Sequence, residues 1–183
     1  NIRAGLAAAK AKYGDIAGIG VDTWGVDYAL VDKTGRMLGL PYAYRDARNN
    51  PANTQQVFDR FGCKALYQAT GIQFLDFNTV FQLHAERQEP DSLLPKAARL
   101  LFVPDLLNFE LCGEMANEAT IASTSQLIDV RTRDWCAPLF DKLDIPAALV
   151  SSPAQPGTML GSLRGVPGME GVPVALVGAH DTA

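Results

Sequence analysis

The chain has 183 residues, of which 48% are hydrophobic and 20% charged, and its 16 basic and 20 acidic side chains give a net charge of −4. These values are ordinary for a globular domain, and the length predicts one domain or slightly more. No apolar run approaches the ~20 residues of a membrane span. A mildly acidic chain without a run of Lys or Arg is not expected to bind nucleic acid.

Cysteine and histidine usage indicates a reducing compartment. Cys63, Cys112 and Cys136 are odd in number, well separated and without a CxxC pair. This pattern favours a cytoplasmic protein over a disulfide framework. With His84 and His180 as the two histidines, a Cys/His zinc site is not expected either.

The first part of the chain predicts a helix followed by a β-meander. An Ala-rich helix covers residues 2–12 and ends near Gly14. Strands are predicted over 16–22, 26–32 and 36–40, joined by close connections.

The remainder predicts mainly helices, with a strand at the end. Residues 99–103 are either a short buried strand or the approach to the next helix, and 150–170 are rich in Pro and Gly and predict a loop. A buried strand is predicted over 172–177. Strands, then helices, then a strand favour an α/β domain over a bundle or a sandwich. The predicted helices cover about 50–62, 63–69, 78–87, 105–111 and 138–143.

The first candidate site is the run Asp22-Thr23-Trp24-Gly25-Val26-Asp27, where the first two predicted strands meet at Gly25. The Asp22 carboxylate and the Thr23 hydroxyl can orient sugar hydroxyls, and Trp24 offers a flat apolar wall. Gly25 lets a ligand lie close to the backbone. The alternative is a β-turn with its usual Gly and Asp, together with one core Trp.

The second candidate site is His180-Asp181-Thr182, directly after the last predicted strand. In open α/β sheets, ligands bind beyond the carboxyl ends of the strands. An Asp at that place can act as a general base. The alternative is that Asp181 or Thr182 caps a following helix.

Two further segments carry polar or aromatic clusters. Arg45 and Arg48 are suited to a carboxylate or phosphate ligand, unless Asp46 forms an ordinary surface ion pair with one of them. In the run 74–79 (FLDFNT), two aromatic residues, the second of them Phe77, precede a polar helix start at Asn78. They form either a pocket wall at a helix N-terminus or a hydrophobic staple over a capped helix.

Together these segments resemble the FGGY family of carbohydrate kinases. The most specific run is 19–28 (IGVDTWGVDY), which is most similar to the subgroup that phosphorylates L-rhamnulose. The resemblance continues through 44–46 (YRD), 70–74 (TGIQF), 77–79 (FNT) and 179–183 (AHDTA). It spans essentially the whole chain.

This resemblance implies an α/β fold of the actin-like, ribonuclease H-like type, with a mixed β-sheet and flanking helices. Residues 1–183 would form most of the N-terminal kinase domain, without its first phosphate-loop hairpin and without the C-terminal domain. No GxxxxGK[ST] or GxGxxG phosphate-binding motif occurs in the sequence. We therefore expect the nucleotide contacts to lie outside this chain and the chain alone to have no kinase activity.

The implied reaction transfers the γ-phosphoryl group of ATP to the 1-hydroxyl of L-rhamnulose, with Mg²⁺ as cofactor. Asp181 matches the family's catalytic base, and His180 and Thr182 match its flanking substrate contacts. Gly25 matches the sugar-binding glycine. Four further pocket candidates are inferred from their location: Trp24, Asp22, Phe77 and Asn78.

Two departures from the family pattern leave the choice of ketose open. Tyr28 stands where Phe is common, and Asp76 stands where Pro is more usual and adds charge near the pocket wall. One alternative is another kinase of the family, acting on L-fuculose, a pentulose or glycerol. Others are a non-catalytic sugar-binding domain with the actin-like fold, or a glycosidase using Asp22 and Asp181 as its carboxylate pair. The sequence does not indicate an oligomeric state.

Overall fold

A computed structural model describes residues 1–181 of the protein. Within these residues no helix is both long and apolar enough to cross a membrane. The α-helices are α1 (Ile2–Tyr13), α2 (Pro51–Phe61), α3 (Cys63–Thr70), α4 (Thr79–Gln88), α5 (Val103–Cys112), α6 (Ala119–Ser123) and α7 (Ala137–Lys142). The strands are β1 (Tyr28–Val31), β2 (Arg99–Phe102), β3 (Ile128–Asp129), β4 (Asp134–Trp135), β5 (Met159–Ser162) and β6 (Pro173–Ala175).

Local signals in the sequence explain where the helices begin and end. At the start of α2, the Asn50 side chain accepts hydrogen bonds from two backbone N–H groups, and Pro51 occupies the first helical position. Gly71 and Gly113, with φ of 67° and 83°, adopt the left-handed conformation that ends α3 and α5. These signals explain why all the predicted helices are confirmed to within a turn.

The predicted β-meander is wrong. β1 pairs antiparallel with β2, so that Tyr28 lies opposite Phe102. The strand expected over 36–40 is reduced to a single bridge between Val31 and Met37. The chain turns sharply at Val26, whose φ is 67°. That turn prevents the two segments on either side of it from forming a hairpin, and the first of them pairs elsewhere.

The segment at residues 19–23 instead lies parallel to residues 174–180 at the other end of the chain. The backbone N–H of Thr23 donates to the carbonyl oxygen of Ala179 at 3.0 Å, and that of Asp181 donates to the carbonyl oxygen of Thr23 at 2.9 Å. Because parallel strands end at the same edge, the residues that follow both segments lie side by side.

The region predicted as a loop over 150–170 contains a strand. β5 pairs antiparallel with β6, with a register shift between Met159 and Gly161. Gly and Pro lower the strand propensity of this region, and the pairing with β6 overrides that local preference. The predicted last strand is confirmed, with β6 at its centre.

Two hydrophobic cores hold these elements together. The larger packs β1 and β2 against α2, α4 and α7 and includes the fully buried Phe81, Phe102 and Phe140. The smaller lies between α5 and β6 and includes Leu111 and Val174. Burying each such side chain stabilises the fold by about 1.5–3 kcal/mol relative to exposure.

A buried polar network connects α5 to the start of α6. Glu118 is 0% exposed, and its carboxylate accepts hydrogen bonds from the backbone N–H groups of Thr120 at 2.8 Å and Ile121 at 2.9 Å. The Glu118 N–H donates to Oδ1 of Asp105 at 3.1 Å. The other oxygen of Asp105, Oδ2, is buried with no hydrogen-bond partner among the described residues. Burial raises the pKa of the Asp105 carboxyl from 3.8 to about 8.

This raised pKa predicts that stability depends on pH. As pH rises above about 4, the unfolded chain loses the Asp105 proton while the folded chain keeps it, so stability falls until pH reaches about 8 and then levels off. Asp105→Asn keeps an acceptor at Oδ1 and carries no charge. The free energy of unfolding should be measured with urea at about pH 5 and about pH 8. Between these two pH values, the wild type should lose of the order of 2–4 kcal/mol more of this free energy than the variant does.

The exposed Asp91 provides the matched control for this experiment. Asp91→Asn should leave the pH dependence of the wild type in place, because the substitution removes a surface carboxylate and touches no buried group. Equal pH dependence in wild type and Asp105→Asn would show that Asp105 is ionised in the folded chain.

Candidate functional site

The parallel pairing brings the two principal candidate segments together. Thr23 forms a bridge with His180 and accepts the backbone N–H of Asp181 at 2.9 Å. Nε2 of His180 lies 3.6 Å from Oδ1 of Asp181. The turn at 22–25 therefore lies beside residues 180 and 181, while Thr182 lies outside the described residues.

Several functional groups at this edge are open to solvent. The Asp181 side chain is 54% exposed, Trp24 is 48% exposed, and Asp22 is also exposed. Trp24 is therefore not the core residue of the alternative interpretation. An exposed aromatic face and carboxylates at one edge are suited to a polyhydroxylated ligand.

Gly25 is closely surrounded by protein. A Cβ at this position would lie 3.0 Å from Oγ1 of Thr124 and 3.2 Å from Nε2 of His180. Thr124 follows α6, and its Oγ1 accepts the N–H of Val26 at 3.1 Å. Three distant segments of the chain thus meet at Gly25. The sequence analysis did not single out Thr124 for this site, because its contact with Val26 spans 98 residues.

Val26 is held in a strained conformation. Its φ of 67° is in the left-handed region, which is unfavourable for a β-branched residue. Its N–H donates to Thr124, and its carbonyl oxygen accepts Oγ1–H of Thr79 at 2.7 Å and Nε2–H of Gln82 at 3.3 Å. Side chains at the end of α6 and from α4 therefore fix both sides of this residue, as is common where strain is kept at a functional site.

Asp27 ends the run of the first candidate site, and the sequence analysis assigned it no role of its own. It is 4% exposed, and its Oδ2 accepts the indole N–H of Trp24 at 2.9 Å and the backbone N–H of Tyr44 at 3.2 Å. Its Oδ1 accepts Nε2–H of Gln82 at 3.2 Å. Its place in the same run as Trp24 shows that the two residues are close, but the hydrogen bonds that define its role are visible only in the structure.

An open cleft of about 570 Å³ is lined by residues from the segments 44–49 and 74–77. Its walls include the aromatic rings of Tyr44, Phe74 and Phe77 and the carboxylates of Asp46 and Asp76. The Phe77 and Tyr44 rings pack edge to face, with their centroids 5.4 Å apart. The structure thus places Phe77 on a cleft wall that the bond between Tyr44 and Asp27 connects to Trp24.

Asn78 lies in the interior behind this wall. It is 2% exposed, and its Nδ2 donates to the carbonyl oxygen of Gln73 at 2.9 Å and to Oε1 of Gln126 at 3.0 Å. It makes no side-chain cap of α4. A hydrophobic staple would need an apolar residue at the fourth position of α4. That position is Gln82, whose Nε2–H donates to the Phe77 carbonyl oxygen at 2.8 Å, and the Phe77 ring packs on Tyr44, so the staple is wrong for Phe77.

Arg48 belongs to the interior rather than to a ligand site. Its Nη1 lies 3.0 Å from Oε2 of Glu86, and the two side chains are 10% and 6% exposed. Its guanidinium stacks over the Tyr42 ring at 3.5 Å. Asp46 accepts the Arg48 backbone N–H at 2.9 Å, which is a local turn contact and not the surface ion pair of the alternative.

Residues 1–181 contain no group of three or more His, Cys, Asp or Glu side chains placed to hold a metal ion. Mg²⁺ usually keeps several waters and is held by one or two carboxylates together with substrate phosphates. The described residues therefore do not form a protein cage for Mg²⁺, and we assign it no ligand here.

Comparison with known proteins identifies the family. The sequence model for the N-terminal domain of the FGGY family of carbohydrate kinases matches residues 2–183. The chain belongs to the FGGY family of carbohydrate kinases. The resemblance noted in the sequence is thereby confirmed.

Curated relatives of this FGGY domain include two bacterial rhamnulokinases. That of Pectobacterium atrosepticum is 44% identical over 165 residues, which cover 90% of this chain and 33% of the relative. That of Yersinia pestis is 40% identical over 185 residues, which cover 100% of this chain and 37% of the relative. The chain thus spans about a third of the length of these relatives.

Solved structures show that the FGGY domain has the expected fold. A xylulose kinase from Rhodospirillum rubrum superposes with a TM-score of 0.87 at 24% identity, over 100% of this chain and 39% of that one. A Plasmodium falciparum glycerol kinase solved with ADP superposes with a TM-score of 0.78 at 19% identity, over 96% of this chain and 37% of that one. The predicted α/β fold of the actin-like type is confirmed.

The close packing at Gly25 yields a prediction for stability. Gly25→Ala should destabilise the chain by about 1–3 kcal/mol, because the new methyl group crowds Thr124 and His180. Cγ2 of Thr124 would lie 3.1 Å from the added Cβ. Thr124→Ser removes Cγ2 and keeps the oxygen that accepts from Val26, so Gly25→Ala should cost less in the Thr124→Ser background. Urea unfolding of the four chains measures this coupling.

Gly5 provides the control for this cycle. A Cβ there would meet nothing within 4 Å, and Gly5→Ala in α1 should not destabilise the chain. If Gly25→Ala lowered the free energy of unfolding equally in the wild type and in the Thr124→Ser background, the crowding of Thr124 would not be the cause of the destabilisation.

Proposed function

We propose that this chain is the N-terminal part of a rhamnulokinase, which transfers the γ-phosphoryl group of ATP to the 1-hydroxyl of L-rhamnulose. The observation that carries the proposal is the parallel pairing that places exposed Asp181 beside the turn at Trp24 and Gly25. The choice of sugar is supported by relatives named rhamnulokinase at 40–44% identity.

In this proposal, residues 1–183 form the N-terminal domain without its first phosphate-loop hairpin, and the rest of the kinase supplies the nucleotide contacts. ATP and the ketose are then its two small-molecule partners, with Mg²⁺ bound mainly through the phosphates of ATP. The chain alone would have no kinase activity. The free cysteines Cys63, Cys112 and Cys136 suit a cytoplasmic protein.

Asp181 acts as the general base in this proposal. Phosphoryl transfer depends mainly on positioning and charge stabilisation, with a base that orients the attacking hydroxyl. A solvent-facing carboxylate can accept the hydroxyl proton as the new P–O bond forms. The backbone of Asp181 is fixed by its hydrogen bond to Thr23, so the carboxylate starts from a defined place at the sheet edge. His180 and Thr182 contact the sugar on either side of this base.

The ketose would lie against the turn that precedes β1. The backbone at Gly25, which packs closely against Thr124 and His180, would lie next to the sugar, and the exposed ring of Trp24 supports the apolar C–H face of the sugar. The Asp22 carboxylate accepts hydrogen bonds from the sugar hydroxyls. Phe77 forms the far wall along the cleft, with Asn78 bracing that wall from the interior at the start of α4.

A substrate panel tests the reaction. The full-length gene product should release ADP from ATP with L-rhamnulose in clear preference to L-fuculose, L-ribulose, D-xylulose and glycerol. Preference for another sugar would keep the kinase and overturn the choice of ketose. No turnover by a folded full-length protein would overturn the kinase proposal in favour of a non-catalytic sugar-binding domain.

The role of Asp181 is tested by Asp181→Asn in the full-length gene product. Removing the base should lower kcat by roughly 10²–10⁴ and leave the dissociation constant of the sugar within about tenfold. The matched control is Asp141→Asn, an exposed carboxylate on α7 that should leave kcat unchanged. Turnover by Asp181→Asn near the wild-type rate would show that the carboxylate is not the base.

A further inference from the structure

Asp27 is a buried carboxylate to which the proposed mechanism gives no role. It is 4% exposed and accepts hydrogen bonds from three separate parts of the chain. These are the indole of Trp24 in the turn before β1, the backbone of Tyr44 in the following loop, and the amide of Gln82 in α4. Both carboxylate oxygens are therefore occupied by donors.

These bonds fix the orientation of an otherwise exposed ring. Trp24 is 48% exposed, yet its polar N–H is held 2.9 Å from Oδ2 of Asp27. The apolar face of the indole is thus presented to solvent in one orientation. A ring fixed before the ligand arrives loses less conformational entropy on binding, which strengthens binding.

The same oxygen connects Trp24 to the aromatic wall of the cleft, which Tyr44 and Phe77 form. Oδ2 of Asp27 also accepts the Tyr44 backbone N–H at 3.2 Å, and the Tyr44 ring packs on Phe77 at 5.4 Å between centroids. Gln82 makes a second connection, because its Nε2–H groups donate to Oδ1 of Asp27 and to the Phe77 carbonyl oxygen. The relative placement of Trp24 and the cleft wall therefore depends on one carboxylate.

We propose that Asp27 is a positioning residue of the ketose site, which sets the sugar specificity by fixing Trp24 and Tyr44 relative to each other. The identity of the ligand rests on the proposed function, whereas the fixing of the two aromatic walls does not. Asp27 itself does not touch the sugar, since its side chain is enclosed by the groups that it orients.

Asp27→Asn is the variant that separates this role from a merely structural one. An amide of the same shape presents one acceptor oxygen, so either Gln82 or the pair formed by Trp24 and Tyr44 faces an N–H₂ group instead of an acceptor. The control is Asp32→Asn in the same part of the chain. Asp32 accepts hydrogen bonds from Thr34 and Arg36 in a surface turn and contacts neither aromatic wall.

The first measurement needs no sugar. The sequence contains two tryptophans, so Trp135→Phe leaves Trp24 as the indole reporter of the chain. In that background, Asp27→Asn should shift the indole N–H proton resonance and increase quenching of the indole fluorescence by acrylamide, while Asp32→Asn should change neither. Unchanged indole signals in Asp27→Asn would overturn the positioning role.

The second measurement uses the full-length gene product. Asp27→Asn should raise KM for L-rhamnulose about tenfold or more and reduce the preference of the enzyme for L-rhamnulose over L-fuculose. The value of kcat should stay within about threefold of wild type, and KM for ATP should be unchanged. A general loss of folded protein would instead lower the apparent kcat and leave both KM values unchanged. An unchanged KM for the sugar would overturn the proposal.

Trp24→Phe keeps the test decisive if Asp27→Asn folds poorly, because it keeps a ring and removes the N–H donor. It should raise KM for L-rhamnulose, and its effect should be smaller in the Asp27→Asn background, since the bond is already disturbed there. Fully additive effects would overturn the proposal. If the gene product phosphorylates no sugar, the proposed function and the ketose assignment fail together. Altered sugar kinetics without an indole change would overturn the positioning role alone.

Discussion

The pairing of residues 19–23 with 174–180 is the constraint on which the rest of the site depends. Its hydrogen bonds join Thr23 to Ala179 and Asp181, which stand more than 150 residues further along the chain. Bringing such distant segments together costs loop-closure entropy, which the burial of the two hydrophobic cores offsets. The carboxyl ends then meet, so that a conformationally fixed turn and a solvent-facing carboxylate share one edge.

Helix α6 supports this pairing from the side. Glu118 at its start and Thr120 in its first turn accept the Ala179 N–H at 3.3 Å and 2.9 Å, and Thr124 after its end accepts the Val26 N–H at 3.1 Å. One short helix therefore braces both halves of the site. The buried Glu118 connects it further to the carboxyl of Asp105 in α5, so the edge that holds the site is tied into the protein interior by polar as well as apolar contacts.

The helices and the FGGY resemblance could be predicted from the sequence because their signals are local. Asn50 as a cap, Gly71 and Gly113 as helix ends, and the run of residues 19–28 each carry their information within a few positions. The strand pairing could not be predicted in this way. Local alternation indicates a strand, whereas its partner is decided by contacts distant in sequence.

The same distinction holds within the site. Trp24 and Asp181 were identified because residue type and position relative to a strand suggest chemistry. The sequence analysis assigned Asp27 and Thr124 no role in the site, because their importance lies in what they orient: an indole ring in one case and a strained backbone in the other. Neither requirement leaves a pattern of its own in a single sequence.

The most direct test of the central claim is to identify the product made by the full-length gene product from ATP and L-rhamnulose. Phosphorus NMR coupled to the sugar protons reports which hydroxyl carries the phosphate. The account predicts one phosphate monoester, on the 1-hydroxyl, formed in equal amount with ADP. A phosphate on another hydroxyl, or ADP released together with free inorganic phosphate and no sugar ester, would contradict it.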